Sequence, residues 1–536
     1  MGSTGGRGLA SAALAMAFAA AFAAACGLAA WAFAGNVQGQ AQGQPESEGA
    51  FRAYWVDAFG EGMNSQEEVE EVVAATKEAN MNAIIAQVGR RGDCFCNEAA
   101  MPRTQADIEP EPFDPLQALI EEAHAEGIEV HAWVIATAIW NSEEPPEAPD
   151  HVFNTNGPGA EGGDDWLMRR EDGELRAGAD YSLDPGHPEA ANYIVEMYTS
   201  IVENYDVDGI NLDRIRYPDF NSGAVSEWGY NPTAVERFQR QTGRYDRPAP
   251  DDEQWSEWRR EQVTSLVRKV YLQTHAIDSS VRLSADTITY GEGPDQQGGW
   301  ESSRTYNEVL QDWRAWMGEG ILDLNVPMDY KRDHEPDQKL WYEQWSEYAK
   351  DNQYERQTIV GSAAYLNYTE GNVDQAREAL APSAAGNPSY GWAGYSYRNP
   401  DADTLAGDRS SEEGREELAK ALTQESRYDD ETPPIFDEEA SVPAMPWKSS
   451  EAHIRGTVTE DGEPLDGARV SLHRQRGDEQ VDTRRADGSG YFGFVGLEPG
   501  RYRVVIEEED FRGRRVIPVQ VSAGELSDAS FDGKGR

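Results

Sequence analysis

The chain has 536 residues, of which 97 are acidic and 47 basic, for a formal net charge of −50 and a pI near 4.4. A chain this acidic lacks the basic footprint that binding a phosphate backbone requires, which excludes a nucleic-acid partner, and it is not drawn to anionic lipid surfaces. With 39% hydrophobic and 10% aromatic residues it supports a packed core and is not a disordered chain. Eight of the basic residues are Lys and the rest Arg, and the acids are spread along the chain. We read this as a surface suited to high salt, where screening relieves self-repulsion.

Residues 1–34 read as an export signal. Arg7 is followed by an Ala-rich apolar run ending in Ala32-Phe33-Ala34, a small-x-small cleavage pattern. Ala23-Ala24-Ala25-Cys26 resembles a lipobox, which would attach the protein to membrane through a lipidated Cys26. The run is also long enough to remain as an uncleaved anchor. All three readings export the rest, to the cell envelope or as a secreted protein. Residues 35–50 are a Gln/Gly-rich flexible tether.

From Phe51 short apolar strands alternate with amphipathic helices. Strands are expected at 51–57, 82–88, 128–134, 208–213, 281–286, 321–326, 357–362 and 389–395. Helices are expected at 65–80, 114–126, 188–205, two within 231–279, then 304–318, 337–350, 372–381 and 411–425. Ser65 with Glu68 three residues on forms a capping-box signature. Eight such alternations predict an α/β fold, a (β/α)8 TIM barrel over 51–425. No Gly-x-Gly-x-x-Gly follows an early strand, so no dinucleotide cofactor is expected. Residues 426–451, dense in Pro and acid, are a linker. Beyond it, alternating strands at 453–460, 468–473, 491–495 and 502–507 with Asp-Gly and Pro-Gly turns predict a small all-β sandwich over 452–532.

The three cysteines, Cys26, Cys94 and Cys96, make no disulfide framework. Cys94-Phe95-Cys96 has no second Cys/His cluster to complete a metal site, so the pair reads as two small loop residues and no metal is expected.

Chemistry in a barrel of this kind sits at the C-terminal ends of the strands. Those ends carry Asp57; Gln87, Arg90 and Asp93; Trp133; Asp213, Arg214, Arg216 and Tyr217; Asp286; Asp329 and Tyr330; Tyr365; and Trp392, Tyr395 and Tyr397. Glycosidic cleavage needs one protonated and one ionised carboxyl flanking the bond. Asp213, Asp286 and Asp329 end successive strands and are the candidate catalytic acids. Gln87, Arg90, Asp93, Trp133, Arg216, Tyr217, Tyr330, Tyr365 and Trp392 are the candidate substrate contacts, since aromatic faces suit sugar C–H surfaces and guanidinium groups suit carboxylates. Each has a plainer reading: Asp57 as a loop cap, His131 as a core histidine, Trp133 as barrel packing, Asp93 as a turn residue.

Several segments resemble one family. They are Arg52-Ala53-Tyr54-Trp55-Val56; Asn82 to Val88 with Gly92-Asp93; Gly127 to Trp133; Leu183-Asp184-Pro185-Gly186-His187-Pro188-Glu189; Asp208 to Pro218; and Trp447. In this order they resemble the glycosyl-hydrolase-10-like lipoproteins of bacterial envelopes. The resemblance implies a barrel glycosidase acting on bacterial cell-wall glycan, in some members on strands stripped of peptide, with the family's strand-four acid at Asp213. Arg214 stands where many members carry a second acid, Met328-Asp329 follows Pro327 where many have Pro-Gln, and Cys96 replaces an aromatic. The C-terminal segment resembles the carboxypeptidase regulatory-like, transthyretin-like domains through Gly456-Thr457-Val458, Gly467 to Val470, Asp487 to Phe492 and Leu497 to Tyr502. The expectation is an exported, monomeric glycoside hydrolase whose partner is a polysaccharide or oligosaccharide. The alternative is an envelope protein that binds glycan without cleaving it.

Overall fold

A computed structural model describes residues 49–429, 433–477, 479–507 and 515–533. Cys26, the export signal and most of the tether lie outside the described residues. Among the described residues no helix is long and apolar enough to cross a membrane.

Eight parallel strands close into a barrel in sequence order: β1 Phe51–Val56, β2 Ala83–Gly89, β3 Glu129–Ile135, β4 Gly209–Asp213, β5 Arg282–Ile288, β6 Leu324–Asp329, β7 Gln357–Ala363 and β8 Gly391–Tyr395. β2, β4, β5 and β7 are buried along their whole length. β2 therefore reads as a near-continuous apolar run, one face filling the lumen and the other packing under helices, while Asn211, Ser284 and Ser362 interrupt the others. Phe51, Ala53, Trp55, Ile85, Trp133, Leu324, Val326, Ile359 and Ala393 form the lumen core.

The expected helices form, two of them with differences in detail, and short helices Val152–Asn156, Ala402–Ala406 and Trp447–Ser450 are added. Ser65 accepts from Glu68 N, but Glu68 Oε2 turns to the loop amides of Gly62 (2.8 Å) and Asn64 (2.9 Å) instead of closing the capping box. The helix expected at 304–318 is two short ones, Arg304–Asn307 and Trp313–Glu319, separated by Leu310 at φ +53°, a conformation a helix interior does not admit. The long segment after β3 contains a small antiparallel sheet, Ala138–Trp140, Arg176–Ala177 and Asp180–Ser182.

The segment read as a linker crosses the N-terminal end of the barrel. Arg52 Nη1 donates to Glu438 O (2.7 Å), Asn82 Nδ2 to Ala440 O (2.8 Å), Arg282 Nη2 to Pro443 O (2.9 Å) and Gln357 Nε2 to Ala444 O (2.9 Å), while Val442 packs on the lumen core. Trp447 Nε1 then donates to the buried Asp323 Oδ1 at 2.6 Å, and Lys448 pairs with its other oxygen at 2.8 Å.

The C-terminal sandwich has β9 Ala452–Glu460, β10 Arg469–Arg474, β11 Gln480–Arg485, β12 Tyr491–Leu497, β13 Gly500–Glu507 and β14 Arg515–Val521. β11-β10-β13-β14 form one sheet; β9 and β12 head the other. β11 and β14 escape sequence reading because they are edge strands, one polar and one carrying Pro518. The sandwich packs against helix Glu253–Ile277 and its neighbours: Lys269 Nζ reaches Ser489 Oγ (2.8 Å) and Asp487 (3.1 Å), and Arg237 pairs with Asp466 at 2.6 Å.

Candidate active site

The strand ladder brings two carboxylates together. β4 and β5 run in register through Leu212 beside Ala285, so the next positions, Asp213 and Asp286, stand side by side. Both belong to the lumen-facing set, as do Asn211 and Ser284 two residues below. Asp213 accepts on both oxygens, from Trp133 Nε1 on β3 (3.0 Å) and from its neighbour Arg214 N (2.6 Å). Asp286 is 2% exposed and accepts from Asn211 Nδ2 at 3.0 Å. Burial, and then the charge of Asp213, push the Asp286 carboxyl well above the usual carboxylate range. The pair thus favours a neutral acid on β5 beside its neighbour on β4.

Aromatic rings surround the pair. Tyr330 and Tyr395 stack at 5.6 Å, Tyr365 meets Tyr395 edge-on at 5.8 Å, and Trp133 and Trp55 each lie 6.2 Å from Tyr395. Burial, with Asp286 and Asp213 among the nearby charges, raises the Tyr330 phenol far above its ordinary value. Tyr330, Tyr365 and Tyr395 are each partly exposed at the mouth.

Around the mouth, Arg214 takes φ +48°, an uncommon conformation for a side-chain-bearing residue, directly after Asp213. Its Nη1 donates to Asp180 Oδ2 at 2.5 Å, and Asp180 also faces Arg91 Nε at 3.3 Å. The small sheet after β3 is thereby pinned between the ends of β2 and β4. Arg216 lies 3.7 Å from Asp219, and Arg90 Nη1 donates to Ala58 O at 2.7 Å. Both arginines remain partly exposed.

Other predicted residues lie elsewhere. Asp329 alternates out of the lumen, and its Oδ1 sits beside Lys331 Nζ (3.2 Å) and Thr289 Oγ1 (3.4 Å). It is fully buried, and burial raises its carboxyl to about 7. Trp392 also faces outward, donating to Ser362 Oγ at 2.9 Å with Phe436 beside its ring. Tyr217 is fully buried near Arg259. Asp93 braces its loop by accepting from Arg91 N (3.0 Å) and Thr104 Oγ1 (2.5 Å). Gln87 faces the lumen but is fully buried, with its Oε1 taking the Ala58 amide. Asn211 and Tyr395 were not singled out as site residues. Asn211 was legible from its spacing, since i and i+2 on a strand share a face with Asp213.

Cys94 and Cys96 form a disulfide within this rim loop, which corrects their reading as two small loop residues outside any disulfide framework. Spacing alone does not reveal a bridge between residues so close in sequence. Among the described residues no group of three His, Cys, Asp or Glu side chains could hold a metal ion.

Several known proteins are similar to parts of this chain. The glycosyl hydrolase YngK of Bacillus subtilis is 24% identical over 316 residues, covering 53% of this chain and 55% of that protein. The glycosyl hydrolase DigH of Escherichia coli is 24% identical over 221 residues, covering 41% and 46%. The chain therefore spans about half the length of these curated relatives. Among solved structures, the glycoside hydrolase domain of PgaB (BpsB) from Bordetella bronchiseptica is 15% identical, with a TM-score of 0.45 over 68% of this chain and 98% of that one. The carboxypeptidase regulatory-like domain model matches residues 453–532. The glycosyl hydrolase-like 10 model matches residues 50–362, more than half of the chain, and the protein belongs to that family.

Proposed function

We propose that the protein is a glycoside hydrolase that cleaves O-glycosidic bonds of a polysaccharide, with Asp286 as general acid and Asp213 as nucleophile. The observation that carries this reading is the side-by-side placement of the two carboxyls, one held neutral by burial and by the other's charge. Two like charges this close favour a single shared proton, and environments that divide two carboxyls in this way mark acid and base roles. The substrate is bacterial cell-wall glycan, a reading supported by the family resemblance. The partly exposed tyrosines supply faces for the sugar and phenols for its hydroxyls.

A retaining course, in which the two carboxyls stand ~5–5.5 Å apart, is the one we propose for side chains at adjacent positions on neighbouring strands. In the first step an Asp213 oxygen attacks the anomeric carbon as the C–O bond breaks. The departing oxygen keeps the bonding pair and takes the proton of Asp286. In the second step water attacks the same carbon and gives its proton to the Asp286 carboxylate, and Asp213 leaves as carboxylate.

The test is incubation with peptide-free peptidoglycan strands, chitooligosaccharides, and α- and β-glucans at high salt, with mass analysis of the products. Asp213→Asn and Asp286→Asn should each reduce product release by at least about 100-fold. Undiminished release by either variant overturns its role. Binding of a glycan without any release establishes the non-cleaving alternative.

A further inference from the structure

Asn211 occupies the lumen one layer below the acid pair and is completely buried. Its Nδ2 donates to Asp286 Oδ1 and to Ser284 Oγ, each at 3.0 Å. Ser284 Oγ lies 3.2 Å from Ile210 O and donates there, so its lone pairs face Asn211. That fixes which end of the amide points to β5. The other end, Asn211 Oδ1, is buried without a hydrogen-bond partner among the described residues. An unsatisfied buried carbonyl oxygen destabilises a fold, and an apolar residue of similar volume would avoid that cost. What an apolar residue cannot supply is the N–H aimed at Asp286.

We propose that Asn211 is a positioning residue for the reaction: braced by Ser284, it holds Asp286 Oδ1 and leaves the proton on Oδ2, directed to the scissile oxygen. This rests on the reading of Asp286 as proton donor. The titratable groups whose charge Asp286 senses are Asp213 on β4, Tyr330 on β6 and, from the outer layer, Tyr198 on helix Pro188–Asn204, whose hydroxyl is committed to Val134 O at 3.0 Å. Burial and Asp213 both disfavour the Asp286 carboxylate. The Asn211 amide opposes them, so it limits how far the acid's titration is displaced.

Asn211→Leu keeps the volume and removes the donor; Ser284→Ala keeps the amide and removes its brace. The carboxylic-acid infrared band that disappears in Asp286→Asn reports the titration of Asp286 without any substrate. Asn211→Leu should move that titration upward by about half a pH unit or more, and Ser284→Ala should move it the same way by less. On peptide-free peptidoglycan strands the alkaline limb of kcat/KM should rise with it, with kcat about 10- to 100-fold lower and KM within about twofold. An unmoved infrared titration in folded Asn211→Leu overturns the proposal, as does a change confined to KM. If Asn211→Leu does not fold, the direction of the Ser284→Ala shift decides. If the wild type releases nothing from any glycan, the hydrolase reading fails, while the infrared titration still decides the role of Asn211.

Discussion

The Trp133 indole N–H on β3 donates to Asp213 Oδ2 on β4 at 3.0 Å, with Trp133 only 6% exposed. Its ring is therefore not a free platform for a sugar; its nitrogen orients a carboxylate. Trp133→Phe keeps an aromatic ring and deletes the donor. The expected outcome is a kcat lowered about 10- to 100-fold with KM within about twofold, measured on whichever glycan the wild type cleaves. A raised KM with unchanged kcat would return Trp133 to a sugar-contacting role.

Asp329 predicts a pH effect on stability. Its folded carboxyl titrates near 7, raised from the ordinary value of 3.8 chiefly by burial. Between about pH 4 and 7 the folded protein then binds a proton at this site that the unfolded chain has released. Stability contributed here is present at low pH and lost as pH rises through 7. Asp184, raised to about 6, acts in the same direction. Asp329→Asn should flatten the decline between pH 4 and 7 in urea titrations, by a few kcal/mol at most because Lys331 offsets part of the cost, and should leave glycan cleavage within about threefold. A slope identical to the wild type would contradict the assignment.

The Cys94–Cys96 disulfide closes a very small loop. The chain entropy it removes from the unfolded state is correspondingly small. Replacing both cysteines by Ser should cost less than about 2 kcal/mol of stability. Mass spectrometry after alkylation should show this pair modified only when the protein is first reduced. Alkylation of both thiols in the folded, unreduced protein would refute the bridge.

The net charge of −50 sets an ionic-strength dependence. Screening shortens the range of like-charge repulsion from about 30 Å at 0.01 M salt to about 3 Å at 1 M. The melting temperature should rise steadily from low to molar KCl. Equal stability at the two extremes would sink the high-salt reading of the surface.

The barrel was legible because short buried strands alternate regularly with helices, several of them capped, as in β2 followed by Asp114 capping Pro115–Ala125. Asp213 and Asp286 were legible as strand ends. Their pairing was not, because which neighbours share a face depends on register, and register is a property of two strands. The same one-residue parity removes Asp329 from the lumen although it too ends a strand. The segment 426–451 reads as a spacer because most of the hydrogen bonds that hold it to the barrel end on its carbonyls, which every residue carries. Phe436, Val442 and Trp447 pack, but they are too widely spaced to show a strand or helix period.

That segment has a consequence for access. Ala50 O accepts from Asn82 Nδ2, the same group that bonds Ala440 O, so the chain joins the barrel where the strap lies. Trp447 on Asp323 starts the sandwich from that closed end as well. Both covalent attachments thus leave from the end remote from Asp213 and Asp286. A long polymer lying across the rim at Asp213 and Asp286 would therefore meet the barrel at the end opposite Ala50 and Trp447.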